Sequence, residues 1–196
     1  MDKMERLNTY LKKIRQWLYE TNMKIVVVEN TGYTYEELNE EKEKFKHRFE
    51  VITYNENQLE ESAYLNGNIY KGASEVFSIH YAYHHSQLCK NAEFIIKITG
   101  RFFIPQFEAF IQYYNLQKFD VLTQSALYRC EMVGCNTSIF GDIFNIHLTN
   151  AVGEYDGHVE SVYKYMCSKF PNKIQCPEFA IEPSQRGGID EIYYTI

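Results

Sequence analysis

NAEFIIKITGRFFIP, residues 91–105, decides the fold class. Phe94, Ile95, Ile96 and Ile98 form a largely β-branched run without period-2 alternation, which predicts a strand covered on both faces of an α/β sheet. Lys97 interrupts that run. The strand breaks at Thr99-Gly100-Arg101, and Phe102, Phe103 and Ile104 resume before Pro105 stops them. A glycine between a hydroxyl and a guanidinium at a strand end lets backbone approach a ligand while two polar groups point at it. In open α/β sheets, ligands sit outside the carboxyl ends of strands. Lys97 and Arg101 then offer cationic donors suited to phosphate oxygens, the arginine bidentately. The same residues equally suit a buried strand that ends in an ordinary turn with both cations solvated.

Working outward, residues 24–29 (KIVVVE) read as another short buried strand, with Asn30-Thr31-Gly32-Tyr33 as its turn. A first strand ending in a polar, glycine-containing loop is where nucleotide-binding α/β folds hold base and ribose, although Gly32 also reads as a plain turn residue. No GxGxxG follows, so a dinucleotide fingerprint is absent. Residues 3–21 place Leu7, Tyr10, Leu11, Ile14, Trp17 and Leu18 at helical spacing. That stripe would pack on the domain, on a second subunit as a homodimer, or on a membrane surface. Residues 35–48 predict a helix whose alternating charges form a solvated face. Residues 49–54 predict a strand, and 58–70 an irregular polar stretch.

Lys71-Gly72-Ala73-Ser74-Glu75 opens a helix predicted to run through Cys89. Its N-terminus offers free N–H groups and a positive dipole end to a phosphate, with Lys71 adding charge. Ser74 and Glu75 also suit an ordinary first turn. His80 and His84 are i,i+4 neighbours without an HExxH arrangement, which reads as packing or surface histidine rather than zinc. Residues 107–114 predict a helix and 119–122 a strand, and 154–169 hold an acidic cluster in which Val159, Val162, Tyr163 and Met166 form a helical stripe with Glu160 near its start. Residues 174–181 predict an edge strand interrupted by Pro177 and ending at Pro183, followed by a flexible loop at 184–188.

The 196 residues fit one domain with a real core, organised as a helix at 1–22 and a main unit at 23–196. A formal net charge of -6 argues against a nucleic-acid partner, because neutralising phosphates needs clustered lysine and arginine. Cys89, Cys130, Cys135, Cys167 and Cys176 contain no CxxC pair, and their odd number favours reduced thiols and a cytoplasmic setting. No signal-peptide pattern or membrane-length apolar run is present.

KITGRFF, preceded by Lys71-Gly72-Ala73-Ser74-Glu75, resembles the KGxxE and K(I/L)TGR(Y/F) signatures of small GT-A-type glycosyltransferases from bacterial capsule or lipopolysaccharide loci and large DNA viruses. The similarity runs in order over about residues 24–190. It implies a Rossmann-related, mixed and mostly parallel sheet flanked by helices. It also implies transfer of a sugar from a nucleotide-sugar donor to a glycan, polysaccharide or lipid-linked acceptor. The resemblance assigns Glu29, Asn30, Thr31 and Gly32 to the nucleoside end of the donor. Lys71, Gly72, Glu75, Lys97, Thr99, Gly100, Arg101 and Arg186 complete the donor set. Arg129 and Glu131, in the segment 128–140, fall on the acceptor side, where they equally pair with each other or with solvent.

Glycosyl transfer with inversion needs a carboxylate or imidazole to take the acceptor proton, and Glu154, Asp156, His158 and Glu160 are the clustered candidates. Glu160 matches the family's acidic position best, though acids in a first helical turn are favoured without any function. Most GT-A enzymes hold a divalent metal with Asp-x-Asp. The five aspartates here, Asp2, Asp120, Asp142, Asp156 and Asp190, include no such pair. The expectation is therefore no metal and no required cofactor, with Lys71, Lys97 and Arg101 stabilising the leaving group. Two other classes stay open: a non-catalytic relative that binds a nucleotide or a protein, and a nucleotidyltransferase, against which the missing paired aspartates count.

Overall fold

The N-terminal stripe folds as α1 (Lys3–Glu20), started by Asp2, whose Oδ1 accepts from the Glu5 N–H at 2.8 Å. Leu11, Ile14, Trp17 and Leu18 are buried against the chain itself, so the stripe is spent on the domain. The Trp17 indole donates to the Phe102 carbonyl at 2.9 Å, which fixes α1 to the stretch at residues 99–105. The computed structural model describes residues 2–125, 129–185 and 191–196.

Next, β1 (Ile25–Glu29) pairs in parallel with β2 (Phe49–Thr53), from Ile25↔Phe49 to Glu29↔Thr53. A parallel pair needs a crossover. Here it is a 3-10 turn at Glu36–Leu38 followed by α2 (Asn39–Lys44). That helix is shorter than residues 35–48 predict, and it is not wholly solvated. Glu41 is buried and accepts from Arg15 Nε at 2.7 Å, because α1 lies directly over it. α3 (Lys71–His85) and α4 (Gln87–Lys90) replace one predicted helix. The break falls at buried Ser86, whose hydroxyl caps Cys89 N–H and donates to Glu50.

The remaining elements are β3 (Phe94–Ile98), α5 (Phe107–Tyr114), β4 (Val121–Gln124), β5 (Met132–Asn136), α6 (Phe140–Ile143), α7 (Val159–Ser168), β6 (Lys173–Cys176), β7 (Ala180–Gln185) and β8 (Ile192–Thr195). β3, β5, β4 and β6 form a sheet in that order. β5 runs antiparallel to both β3 and β4, while β4 and β6 are parallel.

This α/β architecture corrects the expected single, mostly parallel sheet. Among the described residues there are three separate sheets, because β1 pairs only with β2 and the β7–β8 pair stands apart. Residues 174–181 are not one edge strand. Pro177 removes a ladder donor and separates β6 from β7, which joins a different ladder. Pro183 does not end β7 but lies within it, where the register shifts between Ala180 and Ser184.

Side chains alternate across the main sheet. Val121, Val133 and Cys135 join the core beneath α3, α6 and α7. Leu122, Met132, Ile174 and Cys176 face the other core with Phe102, Phe107 and Phe179. On β3, Ile95 belongs to the first core and Ile96 and Ile98 to the second, so Lys97 emerges on the α3 side. No helix among the described residues is long and apolar enough to cross a membrane.

Candidate active site

The strands β1 and β3 share no ladder, and the space between their free edges is a cleft of about 640 Å³. Every residue of both strands is half-buried, which corrects the expectation of fully covered strands. They are apolar because they wall a cleft. Ile14 and Trp17 of α1 and Ile79 of α3 complete its apolar lining. Polar groups gather where the strands end and α3 begins: Glu29, Asn30, Lys71, Ser74, Glu75, Lys97, Thr99 and Gly100.

Glu29 Oε1 accepts from the Thr31 N–H at 2.8 Å, and the Tyr35 hydroxyl lies 3.5 Å from Oε2. Burial, and then Glu29 itself, pushes the Tyr35 phenol up. Asn30 Nδ2 and Ser74 Oγ donate to opposite oxygens of Glu56, both at 2.9 Å, so this carboxylate ties the end of β1 to the start of α3. Lys97, with a side chain only 10% exposed, lies 2.9 Å from Glu75 Oε1 and donates to the Cys130 carbonyl at 2.7 Å. Its charge is thus spent on Glu75 and on a backbone oxygen rather than left free for phosphate. The Tyr163 hydroxyl lies 3.4 Å from the same Glu75 oxygen. Burial raises that phenol well above its ordinary value, and the neighbouring Glu75 adds to the rise.

Several expected site residues stand elsewhere. Gly72 is buried: a Cβ there would come within 2.7 Å of the Gly157 carbonyl and 2.9 Å of Val159 Cβ. Its missing side chain serves helix–loop packing. Thr31 and Gly32 form the exposed turn after β1, with Gly32 at φ +85 donating its N–H to Tyr54 O at 2.8 Å. Arg101 does not line the cleft; its guanidinium lies 5.0 Å over the Phe102 ring, and its buried Nε has no partner among the described residues. Arg186, most of the loop at 184–188 and Tyr128 lie outside the described residues.

None of the four proposed proton acceptors lines this cleft. Asp156 Oδ1 accepts from His158 N–H at 2.9 Å, which shapes the turn into α7, and the His158 ring meets Tyr70 edge-on at 5.6 Å. Glu154 is exposed, and its N–H donates to Asn150 Oδ1 at 3.0 Å. Glu160 lines a second cleft of about 390 Å³ together with Arg129. Arg129 Nε stands 3.8 Å from Glu131 Oε1, so these two pair with each other, as one of their readings held. His80 lies against Phe140 and the Phe144 carbonyl, and burial depresses its pKa.

Residues the sequence did not single out also build the site. Glu56 was findable, since Asn55-Glu56-Asn57 sits at the carboxyl end of a strand. Tyr10, Trp17 and Tyr163 were not, because only tertiary packing brings α1 and α7 here. Glu29 Oε1 and Glu75 Oε1 are engaged, and no group of three His, Cys, Asp or Glu side chains converges among the described residues. The chain matches no protein-family model, no curated protein and no solved structure.

Proposed function

We propose that this chain is a nucleotide-sugar-dependent glycosyltransferase of GT-A-like fold, with the donor held between β1 and β3. The observation that carries the reading is the convergence of Glu29, Asn30, Lys71, Glu75, Lys97, Thr99 and Gly100, from three separate stretches of sequence, on one cleft. Glu29 and Asn30 accept and donate hydrogen bonds at the nucleoside end, over an apolar floor that suits a base. Lys71 and the N-terminus of α3 meet the diphosphate, whose charge grows as its bond to the anomeric carbon breaks.

The acceptor hydroxyl then forms the new bond and loses its proton to a carboxylate. We assign that role to Glu75, which lines the cleft. Lys97 and Tyr163 hold its Oε1, and its Oε2 has no hydrogen bond among the described residues. Glu160 lines the second cleft with Tyr163, and this reading assigns it to the acceptor.

A thermal-shift screen with UDP-, GDP-, CMP- and dTDP-sugars, each with EDTA or Mn2+, tests the donor, because ligands of the native state raise its stability. A selective rise that survives EDTA is expected. No rise with any nucleotide contradicts the reading. A non-catalytic nucleotide-binding relative is the second reading, favoured by Arg101 standing outside the cleft and by the mutual neutralisation of Lys97 and Glu75. Glu75→Gln separates the two: transfer lost with the thermal shift kept supports catalysis, and a shift without transfer in the unaltered protein supports binding alone.

A further inference from the structure

The second cleft has a charge balance opposite to that of the chain. Over the sequence, 26 acidic residues outnumber 20 basic ones. Among the described residues, however, Arg129, Lys164 and Lys173 line the cleft between α7 and the β4–β6 side of the sheet, with Glu160 as the one acid on its walls and Glu131 paired to Arg129. Among the described residues, neither lysine forms an ion pair, and Glu160 forms none. Arg129 is turned by its contacts with the Tyr193 ring at 4.1 Å and the Thr195 carbonyl at 3.2 Å, and its carboxylate partner is 3.8 Å away. Arg129 is engaged by Glu131, so Lys164 and Lys173 are the cations of this cleft without an ion-pair partner among the described residues, and an anion between them would meet both. Hydroxyls of Ser125 and Ser168 on the same walls supply neutral donors for anion oxygens.

The wall between the two clefts is thin. Tyr163 lines the second cleft, while its hydroxyl lies 3.4 Å from Glu75 Oε1, which lines the first. A ligand in the second cleft therefore sits one side chain from the carboxylate that would activate it. We infer that the second cleft binds a phosphate-ester group carried by the acceptor. That an acceptor carries the group rests on the transferase reading; the phosphate site rests on Lys164 and Lys173, with Arg129 beside them.

The test uses the full chain, with glycerol 3-phosphate as a soluble ester and phosphatidic acid vesicles as a lipid source, against glycerol and phosphatidylcholine controls. Backbone amide shifts of Lys164 and Ser168 report the soluble arm, and co-sedimentation reports the vesicle arm. Saturable binding in either arm is expected, weakened about tenfold or more in the Lys164→Gln/Lys173→Gln variant, whose altered side chains are exposed, and unchanged in Lys71→Ala. Binding in neither arm, binding undiminished in the double variant, or binding lost in Lys71→Ala overturns the inference. Nucleotide-sugar shifts measured in parallel on the double variant should be kept. Their absence in the unaltered protein, with phosphate binding intact, removes the transferase reading and leaves the phosphate site standing.

Discussion

Lys97 shows how far a residue type can be read without its surroundings. As a cation in an apolar strand near a strand end, it suits a phosphate. In the fold, its place on the α3 side of β3 delivers it to Glu75 and the Cys130 carbonyl. Breaking a largely buried pair leaves an uncompensated charge, so Lys97→Met should cost about 2–4 kcal/mol, with the partial exposure of Glu75 keeping it near the low end. Urea unfolding measures this, and an unchanged midpoint would contradict it. Gly72 teaches the same lesson. Its neighbours in KGASE mark a helix start, but its packing against Gly157 joins segments far apart in sequence, and no local pattern carries that. A methyl 2.7 Å from a backbone carbonyl forces the loop to shift, so Gly72→Ala should lower stability by about 1–3 kcal/mol in the same measurement.

At the scale of elements, period and composition made α1, β1, β2, β3, α5 and α7 readable, since each has a continuous apolar run or stripe. The C-terminal strands were not, because prolines inside a pattern mark a break without saying which ladder each half joins. β7 matters to α1: Lys12 and Lys13 both pair with Glu182, tying the first helix to one of the last strands. Hydrogen bonds from Lys12 and then Lys13 push the Glu182 carboxyl down to about 2 from an ordinary 4.5. A depressed carboxyl contributes stability that is complete above the unfolded value and is lost as pH falls through the folded one. The unaltered chain should therefore lose more stability than Glu182→Gln between pH 5 and pH 2, a difference small for so exposed a pair. Parallel denaturation series would show it, and superimposable pH profiles would count against the clamp.

For the whole molecule, the decisive event is the lack of pairing between β1 and β3, which turns two apolar strand edges into the walls of a cleft. The sequence named the polar groups at its ends because strand-end residues announce themselves. It did not name the helix that lines it, since α1 reaches the cleft only through the Trp17–Phe102 bond and the packing around it. Nor did it place the acidic residues of 154–160: Glu160 lines the second cleft with Tyr163, while Asp156 shapes the turn into α7.

Trp17 is the one tryptophan of the chain and lines that cleft, so its fluorescence reports occupancy directly. Titration with the four nucleotide-sugar classes in EDTA should give a saturable change for one of them, reduced about tenfold or more in affinity by Lys71→Ala. No change with any of them, or a change indifferent to Lys71, would contradict a donor bound between β1 and β3.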